Sequence, residues 1–216
     1  MYTPADLGKQ KIEVAASVLK TFNPRLEVQA IPLKIASPED IERVIEGTTI
    51  AILAADKPMI DIRRWTTIAC VRQQIPYVQG TLDAYLLQIG PFYHVPYTGC
   101  YVCRETSMRL AAGQAYLAHA ENYKRSPREK PPLSGPLCGF VGSAVALEAV
   151  RYLSKYQPPC TLGRYYVIDA RTWTTREEMV PRNGKCPVCG SLSEPLSGYP
   201  AQMSEQDDEE SFRPYA

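Results

Sequence analysis

Apolar residues recur at helical spacing near the start of the chain, and shorter apolar patterns follow. The segment Gly8–Phe22 places an apolar residue at every third or fourth position, which predicts an amphipathic helix that ends at Asn23-Pro24. The next segment, Leu26–Ile31, alternates apolar and polar residues, which predicts a strand. The pair Ser37-Pro38 predicts the start of a second helix, with the serine as its N-cap. A helix, a strand and a helix are therefore expected in this order.

Strand and helix patterns continue to alternate along the chain. The run Thr48–Ala54 is almost continuously apolar, as is typical of a strand buried on both faces of a parallel sheet. The further predicted elements are helices at Met59–Gln74, Ser107–Lys124 and Gly139–Leu153, strands from Tyr77 and at Tyr85–Phe92, and a hairpin at Arg164–Glu178. This order predicts an α/β fold with a doubly wound, Rossmann-like sheet, which binds ligands beyond the carboxyl ends of its strands.

Composition and charge narrow the class of protein. The length of 216 residues suits one good-sized domain, expected over residues 1–190, followed by an acidic, disordered tail over residues 191–216. The net charge of +1 and the absence of a Lys/Arg run argue against a nucleic-acid partner. No apolar stretch approaches the roughly 20 residues that span a membrane, so no membrane partner is expected. The 7 cysteines, without a secretory signal, indicate the cytoplasm.

Two Cys-x-x-Cys motifs are the most informative feature of the sequence. The first is Cys100 with Cys103, the second Cys186 with Cys189, and glycines adjoin both. Two such motifs can complete a tetrahedral shell of four thiolates around Zn²⁺, which indicates a structural zinc site. A thioredoxin-like redox pair at one motif is the alternative, but it leaves the other motif unexplained. Cys70 and Cys138 stand in apolar contexts and are expected to be buried.

Two charged residues are candidates for phosphate chemistry. Asp56 follows the predicted buried strand, so its carboxylate would emerge at the sheet edge where ligands bind, and it can hold Mg²⁺. The alternative is that Asp56 caps the helix after Lys57-Pro58. Lys11 can supply a cation to the same phosphates, or it is a solvated surface charge.

The ordered set of motifs resembles the HesA/MoeB/ThiF superfamily, the bacterial relatives of ubiquitin-activating enzymes. The resemblance covers about residues 4 to 190. It is carried by the following segments: Asp6–Lys11 with Glu13–Ala16, Asn23-Pro24, Ala54–Pro58, Trp65–Cys70, Gln74–Tyr77, Gly90–Phe92, Gly99–Cys103 and Cys186–Gly190. The Asp-Lys-Pro and Gly-Pro-Phe runs are most similar to the branch that matures ribosomal peptides, exemplified by the enzyme that adenylates the microcin C precursor.

The resemblance implies a ThiF-type fold and an adenylyltransferase function. It implies that ATP is attacked by the C-terminal carboxylate of a peptide or ubiquitin-like protein, with release of pyrophosphate. By position, Lys11 would neutralise the phosphates, Asp56 would bind Mg²⁺, and the four motif cysteines would be the zinc ligands. Members of the family are commonly homodimers, so a homodimer is also implied.

The family pattern also has a glycine-rich nucleotide loop before the segment that matches Tyr2–Lys11, and this sequence starts at Met1. The expectation is weak or no adenylation by this chain alone. Three interpretations stay open: a truncated enzyme, a natural half completed by another polypeptide, and a non-catalytic module that binds a leader peptide for a partner modifying enzyme.

Overall fold

The computed structural model describes residues 2–115, 118 and 134–193 of the chain. These residues form two compact units that divide between Ala36 and Ser37. Each unit is described by itself.

The first unit contains a short 3₁₀ helix, Pro4–Asp6, and helix α1, Lys11–Phe22. The helix begins three residues later than predicted, because Gly8 has a φ of +86°, which no right-handed helix contains. The predicted strand Leu26–Ile31 is wrong, since the backbone there is irregular. A strand needs a neighbour for its backbone hydrogen bonds, and the described part of this unit has no other strand.

The second unit contains five strands, and four helices whose bounds lie within the described residues. The helices are α2 (Pro38–Ile45), α3 (Asp61–Arg72), α4 (Tyr101–Ala112) and α5 (Gly135–Ser154). The strands are β1 (Ala51–Leu53), β2 (Tyr77–Asp83), β3 (Leu86–Tyr93), β4 (Arg164–Asp169) and β5 (Thr174–Met179). The predicted N-cap of α2 is confirmed, because the Ser37 hydroxyl accepts a hydrogen bond from the Asp40 backbone N–H at 3.4 Å.

The five strands form one open sheet in sequence order. Strands β1 and β2 are parallel and are joined through α3, whereas β2, β3, β4 and β5 are antiparallel neighbours. The α/β class and the hairpin of β4 with β5 are therefore confirmed, in a sheet of mixed direction. The prediction that β1 is buried on both faces is wrong: Ile52 is 51% exposed, on the face of the sheet where α5 packs against β2 and β3.

The two faces of the sheet are covered by different helices. On β2 the Tyr77 hydroxyl lies 2.5 Å from the Thr67 hydroxyl of α3, whereas the next residue, Val78, clusters with Val141 and Val145 of α5. Successive residues of a strand point to opposite faces. The face of Tyr77 is therefore the face of α3, and the face of Val78 is the face of α5.

Helix α5 has the length and the apolar composition of a helix that can cross a membrane, which the sequence analysis did not expect. In the structure, Val141 and Val145 are buried against the sheet, and Ala149 is buried as well. The buried Glu148 carboxylate accepts hydrogen bonds of 2.6 Å from the backbone N–H and the hydroxyl of Thr161. These contacts are those of a helix that packs on a sheet, as in a folded domain.

Some sequence predictions fall outside the described part of the chain. Helix α4 begins at Tyr101, earlier than the predicted Ser107, and the predicted end of that helix at Lys124 lies outside the described residues. The same holds for the loop predicted before Ser134 and for nearly all of the acidic tail. These remain predictions.

Candidate functional site

The four motif cysteines come together in one buried cluster of the second unit. Their Sγ atoms all lie within 4.8 Å of one another. The Cys100 Sγ is 3.8 Å from Cys103 Sγ and 3.6 Å from Cys186 Sγ, and Cys103 Sγ is 3.3 Å from Cys189 Sγ. A disulfide would need about 2.05 Å, whereas a tetrahedron of sulfurs around Zn²⁺ has edges of about 3.8 Å. The cluster therefore has the spacing of a metal centre and can hold a metal ion.

Backbone packing at two glycines builds the centre. A Cβ on Gly99 would lie 2.7 Å from the carbonyl oxygens of Val180 and Pro181, so only glycine lets the segment after β5 come this close. A Cβ on Gly190 would lie 2.5 Å from the Gly184 oxygen, so the turn around the second motif needs a glycine as well. The two glycines thus allow the segment after β5, which carries the second cysteine motif, to pack against the first cysteine motif.

The surroundings of the cluster favour a thiolate at Cys103. Cys100 is the N-cap residue of α4 and Cys103 lies in its first turn, where the positive end of the helix dipole stabilises negative charge. Hydrogen bonds from the thiols of Cys100 and Cys189 lower the pKa of Cys103, and the Asn183 backbone N–H adds a bond of 3.4 Å to its Sγ. Val71 of α3 belongs to the same buried cluster and helps to exclude water.

Asp56 lies in the segment that joins β1 to α3, three residues after the end of β1, and it is exposed. Helix α3 starts at Asp61, and its N-cap position is Ile60 rather than Asp56. The carboxylate is therefore placed at the carboxyl end of the parallel strand pair, where α/β sheets bind their ligands.

Lys11 is the first residue of α1 in the other unit. It lines a cavity of about 480 Å³ together with Lys34 and with residues 10, 12 and 31–33. Two lysines that line one open cavity, beside the start of a helix, suit an anionic ligand such as a phosphate. Sequence reasoning missed Lys34, since a lone lysine after an apolar run carries no signal.

Two buried polar features on the face of α3 were also missed. Arg64 of α3 pairs with the buried Glu105 of α4, and Gln79 of β2 is 1% exposed in the strand interior. The pair joins residues that are 41 positions apart, so no local pattern could have indicated it. Gln79 could have been noticed as a polar residue in an otherwise apolar start of a strand.

The remaining described cysteines lie outside the metal cluster. Cys70 is buried, as predicted, and burial raises its pKa to about 12. Cys138 is exposed, so the expectation of burial is wrong; in this turn of α5 it is the neighbouring Leu137 that packs against the core of the sheet. Cys160 is also exposed.

Comparison with known proteins identifies relatives over most of the chain. The ThiF family profile matches residues 1–188. The molybdopterin-synthase adenylyltransferase of Salmonella typhimurium is 24% identical over 190 residues, which are 88% of this chain and 70% of that protein. The sulfur carrier protein adenylyltransferase of Thermus thermophilus is 27% identical over 204 residues and covers 88% of this chain and 66% of that protein.

Solved structures of Escherichia coli MccB have the same fold. The complex with AMPCPP and MccA superposes with a TM-score of 0.74 at 26% identity, and the complex with ATP superposes with a TM-score of 0.73 at 26% identity. Both matches cover 88% of this chain and 53% of MccB. The chain therefore spans about half the length of the solved structures it matches.

Proposed function

The chain belongs to the ThiF family, and from that premise we propose that it serves in the ATP-dependent activation of a C-terminal carboxylate. The observation that carries the proposal is the position of Asp56, exposed just after β1 at the carboxyl end of the parallel strand pair. Relatives named as adenylyltransferases support the reaction class.

The reaction is an in-line displacement at phosphorus. A carboxylate oxygen of the substrate forms a bond to the α-phosphorus of ATP, and the bond from that phosphorus to the bridging oxygen breaks. Pyrophosphate leaves with the electron pair, and the product is an acyl adenylate. Such a displacement depends on positioning and charge neutralisation rather than on covalent help from the protein.

Each candidate residue has a role in this reaction. The Asp56 carboxylate would hold Mg²⁺, which neutralises charge on the phosphate oxygens when it is bound. The Lys11 ammonium group would neutralise phosphate charge, and Lys34 at the same cavity adds a second cation. The exposed positions of these side chains suit groups that meet a ligand from solvent.

The cysteine centre is proposed to be a structural zinc site. Its four thiol ligands leave no open coordination position for substrate, which is the pattern of structural rather than catalytic zinc. The centre ties the segment after β5 to the start of α4, so it would hold the second unit together.

The substrate is proposed to be a peptide or a small carrier protein with a free C-terminal carboxylate. Structures of MccB contain the MccA peptide, and other relatives are named for molybdopterin synthase or for sulfur carriers. The alternative function, a module that binds a leader peptide for a partner modifying enzyme without using ATP, is separated from the first by the experiment below.

The test is exchange of labelled pyrophosphate into ATP in the presence of synthetic peptide pools. One pool carries free C-terminal carboxylates and the matched pool carries C-terminal amides. With this chain alone we expect weak exchange, and we expect it with the carboxylate pool only, because only a carboxylate can attack the α-phosphorus. Equal rates with both pools would refute the activation of a C-terminus, and capture of peptides without any exchange would favour the binding module.

A further inference from the structure

Gln79 carries a buried carboxamide that lacks a hydrogen-bond partner among the described residues. The residue is 1% exposed, and neither Oε1 nor Nε2 has a partner within that part of the chain. Buried side-chain amides are nearly always paired, because an unpaired polar group in the interior destabilises the fold. An unpaired donor beside an unpaired acceptor therefore indicates a role other than packing.

A second glutamine on the same face of the sheet is fully paired. Gln88 of β3 is the Cα partner of Thr81, which lies two residues after Gln79 on β2, so the two glutamines point to the same face. The Gln88 Nε2 donates to the Gly90 carbonyl at 2.8 Å, and its Oε1 accepts from Arg104 Nη2 at 2.8 Å. The fold thus provides hydrogen-bond partners for the amide of Gln88 and leaves the amide of Gln79 without them among the described residues.

The position of Gln79 relates it to Asp56. Its Cα partner on the neighbouring strand is Leu53, the last residue of β1. The chain leaves the sheet at this point and runs to Asp56 and Pro58 as an exposed segment without helix or strand. Gln79 is therefore beside the end of β1, where the segment that leads to Asp56 begins.

We propose that Gln79 is a positioning residue for Asp56, an inference that rests on the proposed function. When nucleotide and Mg²⁺ bind, residues 54–58 settle onto the sheet edge and pair with the Gln79 carboxamide, which holds the Asp56 carboxylate toward the metal. The amide offers one donor and one acceptor, and the segment offers backbone groups and a carboxylate. Carboxylates that ligate metals are commonly held by such a second layer of hydrogen bonds.

The first arm of the test measures the stability of the intact protein without nucleotide. Gln79→Leu removes an unpaired amide, so we expect the denaturant midpoint of unfolding to stay equal or to rise. Gln88→Leu is the matched control: it removes two hydrogen bonds, and we expect the midpoint to fall. A loss of stability in Gln79→Leu as large as that in Gln88→Leu would show that Gln79 is paired in the folded protein and would overturn the proposal.

The second arm measures hydrogen exchange of the backbone amides of residues 54–58 with and without Mg·ATP. We expect Mg·ATP to slow exchange there at least about fivefold in the unchanged protein and not in Gln79→Leu. Equal protection in both proteins overturns the inference. Protection around Lys11 without protection of residues 54–58 overturns it too, but leaves the proposed function intact. No protection anywhere in the unchanged protein removes the proposed function, and the role of Gln79 with it.

Discussion

Arg64 of α3 holds the carboxylate of Glu105 of α4 with two hydrogen bonds. The Nε donates to Oε2 at 2.9 Å, and Nη2 donates to Oε1 at 2.5 Å. Glu105 is 4% exposed, whereas the Arg64 side chain is 39% exposed. The pair thus connects the helix after the Asp56 segment to the helix that carries the first cysteine motif.

Because Glu105 is more buried than Arg64, replacing each residue by alanine should destabilise the protein by different amounts. Arg64→Ala removes the guanidinium that pairs with a buried carboxylate and should reduce the free energy of unfolding by about 3 kcal/mol. Glu105→Ala leaves a guanidinium that can reach solvent and should cost about 1–2 kcal/mol. The double variant should lose less than the sum, as measured by urea unfolding. Additive losses would contradict a direct interaction between the two side chains.

The proposed zinc binding can be tested with two matched double variants. The protein should contain about one zinc per chain by elemental analysis, and Cys186→Ser with Cys189→Ser should remove it and lower Tm, because metal binding stabilises the fold. Cys138→Ser with Cys160→Ser is the control, since both thiols are exposed and outside the cluster. Full zinc content after loss of the second motif would show that the ligands are other groups.

Gly99 offers a test of how the two motifs are brought together. Gly99→Ala places a methyl group 2.7 Å from two backbone carbonyl oxygens and should destabilise the protein by about 1–3 kcal/mol and weaken zinc retention against a chelator. Gly139→Ala in α5 is the control, since no atom lies within 4 Å of the added Cβ. This change should stabilise by about 0.5–1 kcal/mol through helix propensity. Equal tolerance of both changes would contradict the close approach.

Local chemistry allowed part of the fold and of the site to be predicted from the sequence. The spacing within each Cys-x-x-Cys motif and the thiol preference of zinc are enough to predict that four cysteines far apart in the sequence form one zinc site. Ser37 before Pro38 sets a helix start through hydrogen bonding within a few residues. The alternation of helix and strand was sufficient to predict the α/β class.

What the sequence could not predict depends on partners far along the chain. Leu26–Ile31 has the alternation of a strand, but alternation cannot supply a neighbouring strand. The apolar run that contains Ile52 could not reveal its place at the edge of the sheet. The roles of Glu105 and Gln79 depend on which side chains the fold brings near them, and periodicity contains no information on that.

His94 predicts a pH dependence of stability. Its ring packs edge-on against Tyr97 and Tyr152, with centroids 5.0 and 5.6 Å away, and burial lowers its pKa below the ordinary value. The unfolded chain therefore takes up a proton first as the pH falls. The contribution to stability is complete above a pH of about 6.5 and is lost as the pH decreases below it.

The measurement is the free energy of unfolding at several pH values from 7.5 to 5. His94→Phe keeps an aromatic ring and should show a smaller loss of stability on acidification than the unchanged protein. An identical pH dependence in His94→Phe and in the unchanged protein would refute the assignment to His94.

The central claim, that Asp56 supports carboxylate activation by ATP, is tested most directly by one comparison in the intact protein. The rate of pyrophosphate exchange into ATP with the carboxylate peptide pool is measured for Asp56→Asn and for Asp61→Asn, which changes a carboxylate at the start of α3. Loss of a carboxylate ligand to Mg²⁺ should lower the rate at least about a hundredfold in Asp56→Asn, whereas Asp61→Asn should keep most of it. Exchange that survives in Asp56→Asn at the level of Asp61→Asn would contradict the account.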